Sequence, residues 1–273
     1  MERVALLAQV MLAGRMGTAP NLLSAEGTYI IPAGDETPFR MVTTGSGLVV
    51  AVCPELLDWS RSHLSFLSYG EAFEARWIAR IERALRESVG GVLRGPYQMF
   101  YCLPDRYDIL DSPINRNFRL LTVSGAELPQ YINPGLFETG LQRLQPTSTF
   151  EIAFVDNKPL GVCGGVPNAH GLLSLCVEVL PEWQSRGIGT WMIKHAINSF
   201  IVRGYHIYCR ASLADMKSTR LCHRLRFRLG WLELVGERAP ASDQGDDLES
   251  ALRATPWDLS ESPPQKNGRT KGS

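Results

Sequence analysis

The sequence has no excess of either charge and no long apolar run. Its 273 residues include 28 Lys and Arg and 28 Asp and Glu, whereas nucleic-acid binders usually carry a basic excess, so we expect no nucleic-acid partner. No apolar run approaches the ~20 residues that span a bilayer, so we expect no membrane partner. The short apolar run 4–13 follows one basic residue and has no clear cleavage site, which favours a cytoplasmic protein over a secreted one.

The spacings that mark common metal and nucleotide sites are also missing. The six cysteines form no CxxC pair and no zinc-type spacing with histidines, so we expect no metal and interpret the cysteines as buried free thiols. The chain contains neither GxxxxGK[ST] nor GxGxxG. These absences exclude a Walker loop and the common dinucleotide fingerprint.

The composition and one turn-rich stretch predict the domain organisation. Hydrophobic residues make up 44% of the chain and charged residues 21%, which is ordinary for a globular protein. Residues 104–117 contain little that could be buried, and we place a domain boundary there. We predict a smaller α/β domain at 1–110, a second domain at 117–236 and a polar, disordered tail at 237–273.

The spacing of apolar residues predicts the elements of both domains. The first half is expected to hold a helix at its start, two short strands, a helix over 58–88 and a strand over 97–103. The second half is expected to consist of strand 118–123, hairpin 150–165, strand 171–179, helix 187–203, strand 205–211, helix 218–225 and strand 229–236. This order predicts a mixed α/β fold of the α+β type.

The stretch LPEWQSRGIGT, residues 180–190, joins an apolar strand to a helix. A helix start leaves backbone N–H groups unpaired, and the helix dipole is positive there. Gly187 and Gly189 let a ligand approach those groups, and Arg186 adds a positive charge. The stretch therefore favours binding of a phosphate or pyrophosphate, with a tight turn that binds nothing as the alternative.

Two motifs resemble those of the GNAT superfamily of N-acetyltransferases. VEVLPEWQSRGIGT, residues 177–190, is similar to the acyl-CoA motif V-x-P-x-x-(Q/R)-x-x-G-x-(G/A). DMKSTRLCHRLRF, residues 215–227, is similar to N-x-x-S-x-x-L-(Y/A)-x-x-L-G-F, with Arg226 in place of the usual Gly and Cys222 where many members carry Tyr. The resemblance covers roughly 117–236 and leaves the first 110 residues unexplained.

The resemblance implies the GNAT acyltransferase fold, a mixed central sheet with splayed strands, and acetyl-CoA as the co-substrate. The main chain of Val177 and Val179 would pair with the pantetheine arm, and Asp215 and Ser218 would complete the cofactor site. The loop that would hold the pyrophosphate comprises Gln184, Ser185, Arg186, Gly187, Ile188, Gly189 and Thr190.

The implied reaction is direct attack of an amine on the thioester, and it needs a base because an amine with a pKa near 10 must lose a proton. Glu178 is the only acid in the long strand, and its side chain points opposite to those of its neighbours. We take Glu178 as the base, with Glu151 as the second candidate; the other interpretation is that Glu178 lines the entrance or pairs with an arginine. Cys222 occupies the position of the family's proton donor, although a thiol donates weakly.

The sequence leaves the acceptor and two other functions open. The acceptor is the amine of a small molecule or of a protein, and the N-terminal domain either supplies its site or is a degenerate acyltransferase half. The alternatives to an enzyme are a catalytically degenerate acyl-CoA-binding or partner-binding protein of this fold and an unrelated phosphate-binding α/β protein. Basic residues from Lys217 to Arg228 form a solvated helix face, a contact to the 3′-phosphate of CoA, or a surface for RNA or an anionic substrate.

Overall fold

A computed structural model describes residues 3–33, 37–103, 118–132, 148–167 and 171–239. The predicted boundary at 104–117 and the predicted disordered tail, apart from its first residues, lie outside the described residues. The division into domains at 1–110 and 117–236 therefore stays a prediction.

Ten strands of the described chain form one mixed sheet in the order β1-β3-β2-β10-β4-β9-β8-β7-β6-β5. Neighbours pair in antiparallel fashion except β1 with β3 and β8 with β9, which are parallel. The strands are β1 (Gly27–Pro32), β2 (Phe39–Thr43), β3 (Gly47–Val52), β4 (Gly91–Tyr101), β5 (Phe118–Ser124), β6 (Thr149–Val155), β7 (Lys158–Pro167), β8 (Leu172–Val179), β9 (His206–Ser212) and β10 (Arg228–Arg238).

Helices cover both faces of the sheet. They are α1 (Arg3–Met16), α2 (Pro54–Leu64), α3 (Tyr69–Ala72), α4 (Ala75–Val89), α5 (Ile188–Val202) and α6 (Met216–Arg224). Met192 and Phe200 of α5 are buried with Leu173 and Ile207 on one face of the sheet. Leu12 of α1 is buried against the opposite face. The mixed α+β class predicted from the sequence is confirmed.

The face of each strand residue follows the alternation of β-structure. On β2, Met41 packs with α2 and α4, and the next residue, Val42, packs with α1. On β9, Ile207 packs with α5 and Tyr208 packs with α1. We call these the α5 face, which α2 and α4 also cover, and the α1 face.

Three elements differ from the sequence-based prediction. The helix predicted over 58–88 is interrupted, because Ser68 and Glu71 form a capping box that starts a new helix, α3. β4 begins at Gly91, six residues before the predicted start, and β2 was not predicted at all. β10 lies between β2 and β4, so strands from the first and last parts of the chain alternate in the sheet.

The end of α6 explains how the chain tolerates Arg226 in place of glycine. Phe227 N–H donates to the Cys222 carbonyl at 2.9 Å, and Arg226 N–H donates to the His223 carbonyl at 2.9 Å. This is the Schellman pattern, whose C′ residue is left-handed and usually glycine. Arg226 adopts that conformation with a φ of 56°, so the turn is kept at some conformational cost.

Restoring the glycine, Arg226→Gly, is expected to raise the free energy of unfolding by about 0.5 kcal/mol. A residue with a Cβ pays roughly 1–2 kcal/mol to adopt the left-handed conformation, and glycine avoids this cost. The gain is reduced because glycine has more conformational entropy to lose from the unfolded chain. Urea denaturation measures it. Arg220→Gly, at an exposed position in the middle of α6, is the matched control and should instead lower the free energy of unfolding by about 1 kcal/mol. Equal losses in both variants would contradict this interpretation of the turn.

Candidate active site

The strands β8 and β9 part in the middle of the sheet. They pair only from Leu172 to Ser174, opposite His206 to Tyr208, although β8 continues to Val179. Beyond this point β8 keeps its register with β7, while β9 keeps its register with β4. Because the two strands follow different partners, a wedge opens between them, and the edge of β8 from residue 175 onward is not paired with β9.

The loop after β8 turns the chain from the wedge into α5. A 3₁₀ turn at Pro181–Trp183 comes first, and Gly187 then caps α5 in the left-handed region, with a φ of 81°. The first helical hydrogen bond runs from Trp191 N–H to the Gly187 carbonyl at 3.0 Å. The amides of residues 188–190 therefore have no intrahelical acceptor, as expected for an anion-binding helix start.

Side-chain contacts hold this loop against both flanks of the wedge. Gln184 Nε2 donates to the Val179 carbonyl at 2.9 Å, and Lys217 Nζ donates to Gln184 Oε1 at 3.2 Å. The Arg186 guanidinium lies over the Trp183 ring, 4.9 Å from the ring centroid. Gln184 thus links the end of β8 to the start of α6, and it has a structural role whether or not a ligand is bound.

The start of α6 brings the second motif to the wedge. Asp215 caps the helix, since its Oδ1 accepts the Ser218 amide at 3.0 Å. Farther along, Cys222 Sγ lies 3.2 Å from Cys209 Sγ on β9. This contact, followed by burial, raises the pKa of the Cys209 thiol well above its ordinary value. His223 is exposed, whereas Cys222 is buried.

A cavity of about 740 Å³ opens at the wedge and reaches both faces of the sheet. It brings together five of the predicted site residues: Val177, Glu178, Asp215, Ser218 and Cys222. Val177 and Val179 pack on the α5 face, so the side chain of Glu178, between them, points to the α1 face. Residues 184–190 are not among the described residues that line the cavity.

The α1 face of the cavity holds a buried ion pair that sequence reasoning missed. Arg40 of β2 pairs with Glu233 of β10, and they are only 8% and 3% exposed. Trp231 Nε1 also donates to Glu233 Oε2, at 3.3 Å. Arg40 in FRMVT and Glu233 in WLELV are each the one charged residue of an apolar stretch, and this pattern could have singled them out from the sequence. A buried pair adds little to stability over apolar residues of the same size, whereas removing one partner alone would leave a buried unpaired charge.

Glu151, the second candidate base, lies elsewhere. It is fully buried on β6, and its Oε2 contacts Nδ1 of His195 on α5 at 2.9 Å. Burial raises the pKa of Glu151, and the imidazole opposes this shift. Glu151 is not among the described residues that line the cavity. The structure therefore places Glu151 under α5, in contact with His195 and outside the described lining of the cavity.

The chain is similar to known proteins in both sequence and structure. The sequence model of the acetyltransferase (GNAT) family matches residues 120–227. In structure, the chain is similar to a GCN5-related N-acetyltransferase from Kribbella flavida, with 15% identity, a TM-score of 0.49, and 92% of this chain and 99% of that chain covered. It is also similar to a GNAT-family acetyltransferase from Novosphingobium aromaticivorans, with 18% identity, a TM-score of 0.44, and 55% and 69% covered. No curated protein matches the chain.

A third similar structure is an aminoglycoside acetyltransferase from an uncultured soil metagenomic sample, in complex with trehalose. Its identity to this chain is 19% and its TM-score is 0.35, with 42% of this chain and 90% of that chain covered. None of the helices in the described part of this chain is long and apolar enough to cross a membrane. The same residues contain no group of three or more His, Cys, Asp or Glu that could hold a metal ion.

Proposed function

Residues 120–227 belong to the GNAT family of acetyltransferases, and on this premise we propose that the protein transfers an acetyl group from acetyl-CoA to an amine. The observation that carries the proposal is the wedge between β8 and β9, which ends at the glycine-capped start of α5. An unpaired strand edge beside a helix start suits a ligand with an amide-containing arm and a pyrophosphate.

The residues present fit acetyl-CoA. The main chain at Val177 and Val179 lies on the strand that diverges from β9 and would bind the pantetheine arm. The amides of residues 184–190, together with Arg186, would bind the pyrophosphate, because they surround a helix start with left-handed φ values at Ser185 and Gly187. Asp215 and Ser218, at the start of α6, would lie beside the pantetheine arm. The bound thioester supplies the activated acetyl group.

Within this proposal, the amine enters from the α1 face and the cofactor from the α5 face. Glu178 takes the proton of the amine, since its side chain lines the cavity on the α1 face, from which the amine enters. Cys222, on the opposite side, lies where a proton could return to the leaving sulfur. A cysteine nucleophile is disfavoured, since burial raises the pKa of Cys176 to about 11 and the pKa of Cys209 is also raised. Direct attack by the amine is therefore the favoured route.

The test is release of free CoA thiol from acetyl-CoA by the full-length protein, across small amines, amino acids and peptide amines. We expect release that depends on one acceptor class, together with acetyl-CoA binding in its absence. Tight CoA binding without release by any amine would instead favour the catalytically degenerate alternative. Binding of nucleotides without preference for the pantetheine arm would contradict the cofactor assignment.

A further inference from the structure

Two thiols meet at the point where the wedge opens. Cys209 Sγ of β9 lies 3.2 Å from Cys222 Sγ of α6, and both cysteines line the cavity. Cys209 is the first residue of β9 after its pairing with β8 ends at Tyr208, and it packs on the α5 face. Cys209 is half-buried and Cys222 is buried. A reagent that enters the cavity therefore meets a pair of adjacent thiols.

The geometry of the pair suits a disulfide bond. Such a bond is about 2.04 Å long, so the two sulfur atoms have to approach each other by only about 1.2 Å. The two cysteines are 13 positions apart in the chain. A cross-link over a loop of this size restricts the unfolded chain and stabilises the folded one. The folded protein thus holds the two thiols close to the arrangement that oxidation requires.

A bond between these thiols would act on the proposed cofactor site through α6. Asp215 and Ser218 at the start of α6 line the cavity, and Lys217 Nζ donates to Gln184 Oε1 at 3.2 Å. Gln184 belongs to the phosphate loop, residues 184–190. Closing the bond would draw α6 toward β9 by up to about 1 Å. Misplacement of bound reactants by about 1 Å can lower a rate about a hundredfold.

We propose that Cys209 and Cys222 are a modification site, at which a low-molecular-weight disulfide oxidises the two thiols to one disulfide bond and thereby lowers the rate of acetyl transfer. The effect on the rate rests on the proposed function, whereas the oxidation does not. One protein thiolate attacks the small disulfide and releases a small thiol. The other protein thiolate attacks the mixed disulfide at the protein sulfur and releases a second small thiol. The two released thiols carry away the two electrons and two protons that the protein loses.

This exchange does not need the reactivity of a catalytic cysteine. Contact with Cys222, followed by burial, raises the pKa of the Cys209 thiol, so its thiolate is scarce at neutral pH and the exchange is slow. A modification that proceeds over minutes to hours tolerates a slow exchange, whereas a nucleophile that reacts in every catalytic cycle does not. The same thiols are therefore poor nucleophiles for catalysis and suitable for oxidation.

The test incubates the full-length protein with oxidised glutathione and then alkylates the remaining thiols. We expect two of the six thiols to be lost, and mass spectrometry of peptides to find Cys209 linked to Cys222 without retained glutathione. Dithiothreitol should restore both thiols. An unchanged number of thiols, glutathione retained on either residue, or a link to a different cysteine would overturn the proposal.

Serine variants assign the modification to the pair. Cys209→Ser and Cys222→Ser should each fail to form the internal bond, because one of the two sulfur atoms is gone. Cys176→Ser is the matched control: Cys176 is also a half-buried thiol that lines the cavity, but it packs on the opposite face of the sheet, where its Sγ donates to the Gly164 carbonyl at 3.3 Å. Cys176→Ser should still lose two thiols. An internal bond in Cys209→Ser, or none in Cys176→Ser, would show that the assignment is wrong.

The effect on turnover is measured as the ratio of the rates after and before oxidation, once all small thiols have been removed. We expect this ratio to be one tenth or less in the wild type and in Cys176→Ser, to stay near one in Cys209→Ser, and to recover with dithiothreitol. A full rate in protein whose Cys209 and Cys222 are linked would overturn the proposed control of the rate. Failure of the proposed function gives a different result, namely no CoA release by the reduced protein with any amine. The thiol count and the linked peptides then still decide whether the pair is a modification site.

Discussion

Replacement of Gly187 by asparagine is expected to weaken acetyl-CoA binding about a hundredfold. Gly187 caps α5 with a φ of 81°, and asparagine is among the few other residues that adopt this conformation readily. The added side chain would occupy the helix start where a pyrophosphate has to approach the amides. Loss of two charge-assisted hydrogen bonds, at about 1.5 kcal/mol each, corresponds to a factor of about a hundred. Calorimetry with acetyl-CoA measures the change.

The other end of α5 supplies the matched control. Gly204 has a φ of 83°, and a Cβ there would meet nothing within 4 Å. Gly204→Asn therefore replaces a left-handed glycine by asparagine at the end of α5 that is far from the phosphate loop. Its affinity for CoA should equal that of the wild type. Gly187→Val, in which a β-branched residue must be left-handed, should lose affinity and also stability. Unchanged CoA binding in a folded Gly187→Asn protein would contradict the cofactor assignment.

The part of the site that sequence could predict is the part built from neighbouring residues. The strand, glycine turn and helix at 172–202 follow one another directly, and each has a local signal: an apolar run, Gly187, and a 3.6-residue apolar period. The hairpin at Asp156 and Asn157 was equally local, and both residues have the left-handed φ values of a two-residue turn.

The part that sequence could not predict depends on strand partners far apart in the chain. The wedge exists because β9 follows β4, a strand more than a hundred residues earlier, instead of following β8. The pair Arg40 and Glu233 meets only because β10 inserts beside β2. A short window can mark Arg40 and Glu233 as unusual charges, but it cannot show that they pair or that the sheet splits, since both result from the order of strands.

The same limit explains why the acceptor side stayed open at the sequence level. Its residues come from α1, β2, β8, β9 and β10, which span most of the chain. A lone arginine such as Arg210 in HIYCRAS is, by sequence, an ordinary exposed residue of a strand. Its place in the lining of the cavity follows from the pairing of β9 with β4 and with the start of β8, and it could be found only from the fold.

The largest effect is expected for Glu178→Gln, which should lower the turnover number by roughly 10²- to 10⁴-fold, the usual contribution of a general base. Glutamine keeps the size of the side chain and removes its ability to accept a proton. Acetyl-CoA binding should hardly change, because the strand's main chain, and not this side chain, is proposed to contact the cofactor. Steady-state kinetics with the identified acceptor measure the turnover, and calorimetry measures the binding.

Three other variants show whether the loss belongs to Glu178 itself. Glu182→Gln, at an exposed site four residues along the chain, is the surface control and should keep the wild-type rate. Glu151→Gln tests the second candidate base; because Glu151 contacts His195 under α5, we expect a loss far smaller than that of Glu178→Gln. Cys222→Ala should lower the rate only a few fold, since a thiol is a weak donor and the CoA thiolate is a fairly stable leaving group.

The pH dependence of the rate distinguishes loss of the base from a change in the shape of the acceptor site. An amine with a pKa near 10 is increasingly neutral as the pH rises, so it needs a base less and less. The rate of Glu178→Gln should therefore approach that of the wild type toward alkaline pH, whereas a variant with a misplaced acceptor would keep a constant deficit. A pH–rate profile from pH 6 to pH 10, about the range over which the amine titrates, makes the comparison. If Glu178→Gln follows the wild-type rate at every pH, Glu178 is not the base, and Glu151 or bound water becomes the candidate.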